Sequence, residues 1–236
     1  MSASAIAPIV GALGGMALGG GLMAYAAQQC RKPGSRRGRL VLHRMNESHA
    51  RVTTGGLSHL AIEPTFTVLD VGCGGGRTIS ALASMASRGT VFGIDYSTES
   101  VAVARETNRP LIEQGRVDIQ LGSVSHLPYR DRTFDVVSAV ETHYYWPDLA
   151  RDVREVRRVL KAGGRFVIIA ETYRGRKNDW AFRPTMTLLL RAAYLTPDQH
   201  RKLLEGGGFA DVQVFVERNE GWICAIGTRP NVDDGR

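Results

Sequence analysis

The chain has 236 residues, 43% hydrophobic and 22% charged, enough to bury one sizeable core and too apolar for a disordered polyelectrolyte. Its three cysteines, Cys30, Cys73 and Cys224, are far apart and lack C-x-x-C spacing, so neither a disulfide framework nor a cysteine-based metal site is indicated, and the compartment reads as reducing. The formal charge of +7 is local: seven basic residues lie between Arg31 and Arg51 against one acid, Glu47, which leaves the remainder nearly neutral and argues against nucleic acid as a partner.

Residues 1–30 carry no charged side chain and are rich in Ala, Gly, Leu and Met. Such a run is long enough to cross a ~30 Å hydrocarbon layer as a helix. Gly11, Gly15 and Gly19 fall four apart, on one helical face that would let two copies pair in a bilayer. The basic cluster directly after it would hold the rest of the chain on the cytoplasmic side and bring residues 1–51 into membrane contact. A glycine-diluted extension of a soluble cytoplasmic protein is the competing reading. A cleaved signal peptide fits less well, since the basic flank lies on the wrong side of the apolar run. Residues 31–56 form a basic linker, with Pro33-Gly34-Ser35 as a break and Arg39 to His49 as a short amphipathic helix that Thr53-Thr54-Gly55-Gly56 would stop. A single domain then occupies residues 57–236.

The domain opens on the strand Thr67–Val71, which runs into Gly72-Cys73-Gly74-Gly75-Gly76 and then a helix from Thr78 to Ser87. Glycines are required where the backbone takes positive φ or closely approaches a ligand, and the helix N-terminus points its amides at that ligand. A dinucleotide fingerprint would place its third glycine at position 77, which is Arg. Asp70, just before the turn, would repel a pyrophosphate and favour a cation. The second strand, Thr90 to Asp95, ends in an acid about twenty residues past the turn, the spacing of a carboxylate that accepts ribose hydroxyls. Tyr96 is placed to stack on adenine, and Ser97 reads as the N-cap of a helix reaching Glu106.

Strand three, Val117 to Leu121, leads into Gly122-Ser123-Val124. Strand four, Thr133 to Val140, is almost continuously apolar, as a strand covered on both faces should be. It ends in Glu141-Thr142-His143-Tyr144-Tyr145-Trp146-Pro147. A helix from Leu149 to Leu160 stops at Lys161-Ala162-Gly163-Gly164, and strand five is Arg165 to Ala170. An aromatic and arginine-rich stretch, Glu171 to Leu195, includes Tyr173. Thr196 then caps a last helix, and Val212–Val216 with Trp222–Ile226 reads as an antiparallel closing hairpin.

Asp70 with the glycine turn, Asp95, Leu127-Pro128, Phe134-Asp135 and Val159-Leu160-Lys161, in that order, resemble the class I S-adenosylmethionine-dependent methyltransferases, specifically those acting on small molecules in the manner of ubiquinone and menaquinone biosynthesis. The resemblance implies an α/β fold: a doubly wound, seven-stranded, mostly parallel sheet with a C-terminal antiparallel hairpin. It implies S-adenosylmethionine as cofactor, held by Asp70, Gly72, Cys73, Gly74, Gly76, Asp95, Tyr96, Ser123, Val124 and Glu141. Ser123 stands where the family places an Asp against the adenine amino group, and its hydroxyl is the weaker acceptor. The segment Met45 to His49 would be a lid over the cofactor or a helix on the sheet edge. No metal is implied.

Methyl transfer from a sulfonium is an in-line displacement, so the protein chiefly aligns the acceptor behind the methyl group. A hydroxyl or acidic carbon acceptor also needs a base, for which His143 and then Glu141 are placed, at the carboxyl end of strand four. The Asn-Pro-Pro-Tyr or Asp-Pro-Pro-Tyr loop of many nucleic-acid and protein methylating enzymes is absent. Tyr144, Tyr145, Trp146 and Tyr173 would line a site for a small or lipid-like acceptor. An RNA or protein methyltransferase docking through residues 31–51, and a cofactor-binding module without catalysis, are the alternatives.

Overall fold

The structure, a computed structural model, describes residues 50–231. The expectations for residues 1–30, for the basic linker and for the helix Arg39 to His49 therefore lie outside the described residues. Among the described residues, no helix is long and apolar enough to cross a membrane.

Seven strands form one sheet in the order β3-β2-β1-β4-β5-β7-β6. These are β1 (Thr67–Val71), β2 (Thr90–Asp95), β3 (Val117–Leu121), β4 (Phe134–Val140), β5 (Leu160–Ala170), β6 (Ala210–Glu217) and β7 (Trp222–Thr228). Neighbours from β3 to β5 pair in parallel, while β7 runs antiparallel to both β5 and β6. The chain order reverses between β1 and β4, so the carboxyl ends of those strands open a crevice at a topological switch point.

Successive side chains alternate across the sheet, and the two faces bury separate clusters. Val68, Val136, Val167 and Ile169 pack with Leu57, Ile79, Leu82 and Ala104 on one face. Leu69, Val137, Phe166 and Ile168 pack with Val153, Val156, Leu204 and Phe209 on the other. The first face carries α1 (Ala50–Leu57), α2 (Arg77–Met85), α3 (Thr98–Thr107) and the short α4 (Arg109–Glu113); the second carries α5 (Leu149–Val159) and α7 (Pro197–Gly206). Between β5 and α7 the chain inserts α6 (Asp179–Pro184) and a π-helical turn, Thr185–Leu189. A third, smaller cluster of Tyr144, Ala170, Tyr173, Met186, Tyr194 and Ile223 holds this insert down.

Two expected boundaries are corrected. Thr53-Thr54-Gly55-Gly56 does not stop a helix but lies inside α1. A Cβ at Gly55 would sit 2.9 Å from the Trp222 ring, and one at Gly56 only 2.6 Å from Ile169, so these glycines let the helix lie directly on the sheet. Strand β5 begins at Leu160 rather than Arg165, because Leu160 pairs with Phe134 before a register shift, and the glycines read as a stop are carried within the irregular strand.

Candidate active site

The turn after β1 is built around three glycines with positive φ: Gly72 (73°), Gly74 (51°) and Gly76 (81°). Their surroundings differ. A Cβ on Gly72 would strike the Thr142 side chain, and one on Gly76 would meet Asn108 Nδ2 at 2.5 Å and the Ala104 backbone at 2.8 Å. A Cβ on Gly74 would meet nothing within 4 Å. The outer two glycines admit other parts of the protein, while the middle one faces open space. Asn108 secures the turn: Nδ2 donates to the carbonyls of Gly76 and Ala104, both at 2.9 Å, and Oδ1 accepts from Ser80 Oγ at 2.7 Å. The N-terminus of α2 is thereby pinned to the end of α3.

Asp95, at the end of β2, is the turn's other wall. Its Oδ2 accepts from the Gly74 amide at 3.0 Å and its Oδ1 from the Ser97 amide at 2.8 Å. Burial pushes this carboxyl above its usual range, and these amide donors offset part of the rise. The Ser100 hydroxyl and the Tyr96 amide also donate to this carboxyl, so a ligand hydroxyl would share or replace one of its present donors. Tyr96, directly after, is 44% exposed. Ser97 is the N-cap of α3, as its sequence position implies, and accepts from the Ser100 amide.

Asp70 is buried in the middle of the sheet, where the Ser138 hydroxyl donates to its Oδ1 at 2.6 Å. Burial raises its carboxyl to about 7, against the pull of Ser138 and with a further push from Asp95. A cation in front of the turn would lower it again. Cys73 is buried beside Gly93, its amide donates to the Ile94 carbonyl at 3.1 Å, and burial raises its thiol. It holds the turn to β2 through its backbone. After β3, Ser123 is exposed and its Oγ accepts from the Ser125 amide at 3.2 Å, while Val124 is buried.

The loop after β4 is constructed differently. Glu141 takes a positive φ of 59°, uncommon for a residue with a side chain, and its carboxyl accepts from the Glu171 amide. Burial, and then the Glu171 carboxyl nearby, hold Glu141 well above the ordinary carboxylate range. His143 is fully buried, with Nε2 lying 3.2 Å from Nε2 of His200 on α7. His200 Nδ1 lies 2.9 Å from the Thr196 carbonyl, an acceptor only, so Nδ1 carries the His200 proton. His200 Nε2 is then the acceptor, His143 Nε2 donates to it, and the lone pair of His143 falls on Nδ1. That nitrogen is buried and has no hydrogen-bond partner among the described residues. Burial, and secondarily His200, keep His143 neutral well below its usual titration range.

The four aromatic residues expected to line the acceptor site separate into two groups. Tyr144 and Tyr173 belong to the insert cluster, with Tyr145 packed against it, and the Tyr144 hydroxyl donates to the Thr172 carbonyl at 3.0 Å. Trp146 instead stacks on Phe166, ring centroids 6.1 Å apart, within the core under α5 and α7. Ser138, Asn108, Thr142, His200 and Glu171 support the site without having been singled out in the sequence. Ser138 could have been, as the polar residue in the middle of an otherwise apolar strand.

A glycine turn beside a buried acid at the end of the next strand, in this strand order, is the arrangement of a candidate nucleoside-cofactor site of the methyltransferase type. The methyltransferase-domain family matches residues 69–168. An O-methyltransferase of Pyrenophora dematioidea is 32% identical over 178 residues, 75% of this chain and 66% of that protein. The demethylmenaquinone methyltransferase of Lactiplantibacillus plantarum is 35% identical over 122 residues, 51% of each chain. The chain thus spans about half to two thirds of the length of these relatives. Phosphoethanolamine N-methyltransferase 2 of Haemonchus contortus, solved with S-adenosylmethionine, shares the fold at a TM-score of 0.66 and 17% identity, covering 77% of this chain and 53% of that one. The chain belongs to the class I S-adenosylmethionine-dependent methyltransferases, and S-adenosylmethionine is its cofactor.

Proposed function

We propose that the chain methylates a small or lipid-like acceptor by in-line displacement, with the cofactor seated in the turn around Gly74. The observation that supports the placement is the contrast among the three glycines, of which only Gly74 could carry a Cβ with no atom of the described residues within 4 Å. Bound there, S-adenosylmethionine supplies an electrophilic methyl group on a sulfonium. Asp95 would accept the ribose hydroxyls, Asp70 would face the cationic methionine end with Gly72, Cys73 and Gly76 shaping the turn, and Tyr96 would stack on adenine while Ser123 and the Val124 amide would flank its edge. The acceptor side is bounded by Glu141, Tyr144, Tyr145 and Tyr173. Trp146, committed to the core, shapes this side through packing.

His143 is the better candidate base on protonation state. Burial favours its neutral form, with the lone pair on Nδ1, whereas burial and Glu171 push the Glu141 carboxyl toward its protonated form. The supporting relatives include one named for oxygen methylation and one for an isoprenoid quinone precursor, both consistent with an acceptor that must lose a proton. Incubating the purified chain with radiolabelled S-adenosylmethionine and fractionated lipid and small-molecule extracts tests the reading. Label in a lipid or small-molecule fraction is expected, and label confined to RNA or protein would overturn it.

A further inference from the structure

The insert after β5 presents an apolar face that the other described residues leave uncovered. Trp180 is 79% exposed and Leu188 78%, with exposed Ala181, Pro184 and Thr187 between them. The segment is nonetheless anchored from beneath: Met186 is buried in the third cluster, and the Tyr194 hydroxyl lies 2.6 Å from Asp179 Oδ1. Exposure of so large an indole leaves its apolar surface in water, so a partner that covers it gains the free energy of that burial.

The charges around this face identify the partner. Lys177, Arg183 and Arg191 are exposed beside Trp180 and Leu188, and the one acid in residues 174–193, Asp179, is partly buried against Tyr194. A second copy docking face to face would bring these cations together. Residues 31–49 of the same chain carry six basic residues and a single acid, Glu47, and would be repelled equally. An anionic membrane surface meets both demands, since tryptophan favours the lipid–water interface and each basic side chain near it is attracted to acidic headgroups. We infer that the segment 177–191 is an interfacial membrane-docking element that seats Trp180 and Leu188 among the headgroups of anionic lipid. This surface is distinct from residues 1–51 and does not depend on which acceptor is methylated.

Tryptophan fluorescence of the full chain decides the matter, because Trp146 and Trp222 are only 9% and 8% exposed and a lipid-borne quencher can reach Trp180 alone. With vesicles of phosphatidylglycerol and phosphatidylcholine carrying brominated acyl chains, emission should shift to the blue and be quenched. Pure phosphatidylcholine vesicles should leave it unchanged, and Trp180→Phe should abolish the response without altering cofactor-induced thermal stabilisation. Reversing charge at Lys177, Arg183 and Arg191 together should raise the lipid concentration for half-quenching about a hundredfold. Protein that sediments with the vesicles while its fluorescence stays unquenched would overturn the inference, leaving residues 1–51 as the contact. Trp180 already shielded from aqueous acrylamide without vesicles would overturn it too, by giving the face to residues 1–49 or a second copy.

Discussion

The turn after β1 and the loop after β4 leave the carboxyl ends of adjacent strands, yet they are built in opposite ways. The first is made of backbone, with three positive-φ glycines and two amides held by Asp95, and it leaves room at Gly74. The second is made of side chains that fill their own space: Glu141 against Glu171, His143 against His200, Tyr144 against Thr172. A rigid backbone cradle admits its ligand without rearrangement. With His143 as the proposed base, the filled loop must part before an acceptor can reach its Nδ1. The cofactor side is therefore preorganised, and whatever motion the reaction requires is assigned to the acceptor side.

The largest expected effect tests the vacancy. Gly74→Val puts its bulk into open space and Gly76→Val drives into Asn108 and the Ala104 backbone, although both force a side chain to a positive φ. Gly74→Val should fold, at a cost of about 1 to 2 kcal/mol for the left-handed conformation, and lose all cofactor-induced thermal stabilisation. Gly76→Val should lose overpacking energy as well, about 1 to 3 kcal/mol more. If instead both variants are stabilised alike by S-adenosylmethionine, the contrast among the glycines has no functional meaning.

The second effect belongs to the filled loop. His143→Ala should lower turnover by ~10² to 10⁴ if proton removal is part of the transition state, with cofactor affinity unchanged. His200→Leu should lower it too, because the His143 proton loses its acceptor at Nε2 and the imidazole is free to move its proton to Nδ1. A loss below threefold in both, with an unchanged pH profile, would make the histidine pair a packing feature. Third is Asp95→Ala, which should weaken the cofactor by roughly 1.5 to 3 kcal/mol, the range of a hydrogen bond to a charged group. Calorimetry on the folded variant checks this, and unchanged affinity would detach the ribose from Asp95.

The same opposition explains how much was legible in the sequence. The glycine turn, the acid at the end of β2 and the Ser97 cap follow from local rules, because each needs a particular residue type within a few positions, whereas the sheet architecture came with the family resemblance. The pairings that decide the acceptor side join residues 30 to 57 positions apart, as in Glu141 with Glu171 and His143 with His200. No local pattern marks such pairs. Trp146 shows the limit most clearly, since Tyr145 and Trp146 are adjacent in sequence and pack into different clusters. Gly55 and Gly56 failed for the related reason that tertiary packing against Trp222 and Ile169, rather than turn chemistry, selects them.

The smallest effect is a pH dependence that separates the two sides through Asp70. Its carboxyl is raised to about 7 in the folded chain, mainly by burial, from an ordinary value of 3.8. Between those values the folded state holds a proton that the unfolded state has released, so stability falls as pH rises from about 4 to about 7 and levels off above. Cofactor binding should run the other way, because a sulfonium and an ammonium favour the carboxylate. The ionised fraction of such a group rises about tenfold between pH 6 and pH 8, so S-adenosylmethionine affinity should rise by a similar factor. Asp70→Asn should flatten the affinity profile and reduce the stability slope, leaving the part due to Asp95 and Glu141, whose carboxyls are raised as well. Titration calorimetry at both pH values separates the outcomes, and an affinity that stays level in the wild-type chain would mean that Asp70 supports the turn through Ser138 without facing the cofactor's charge.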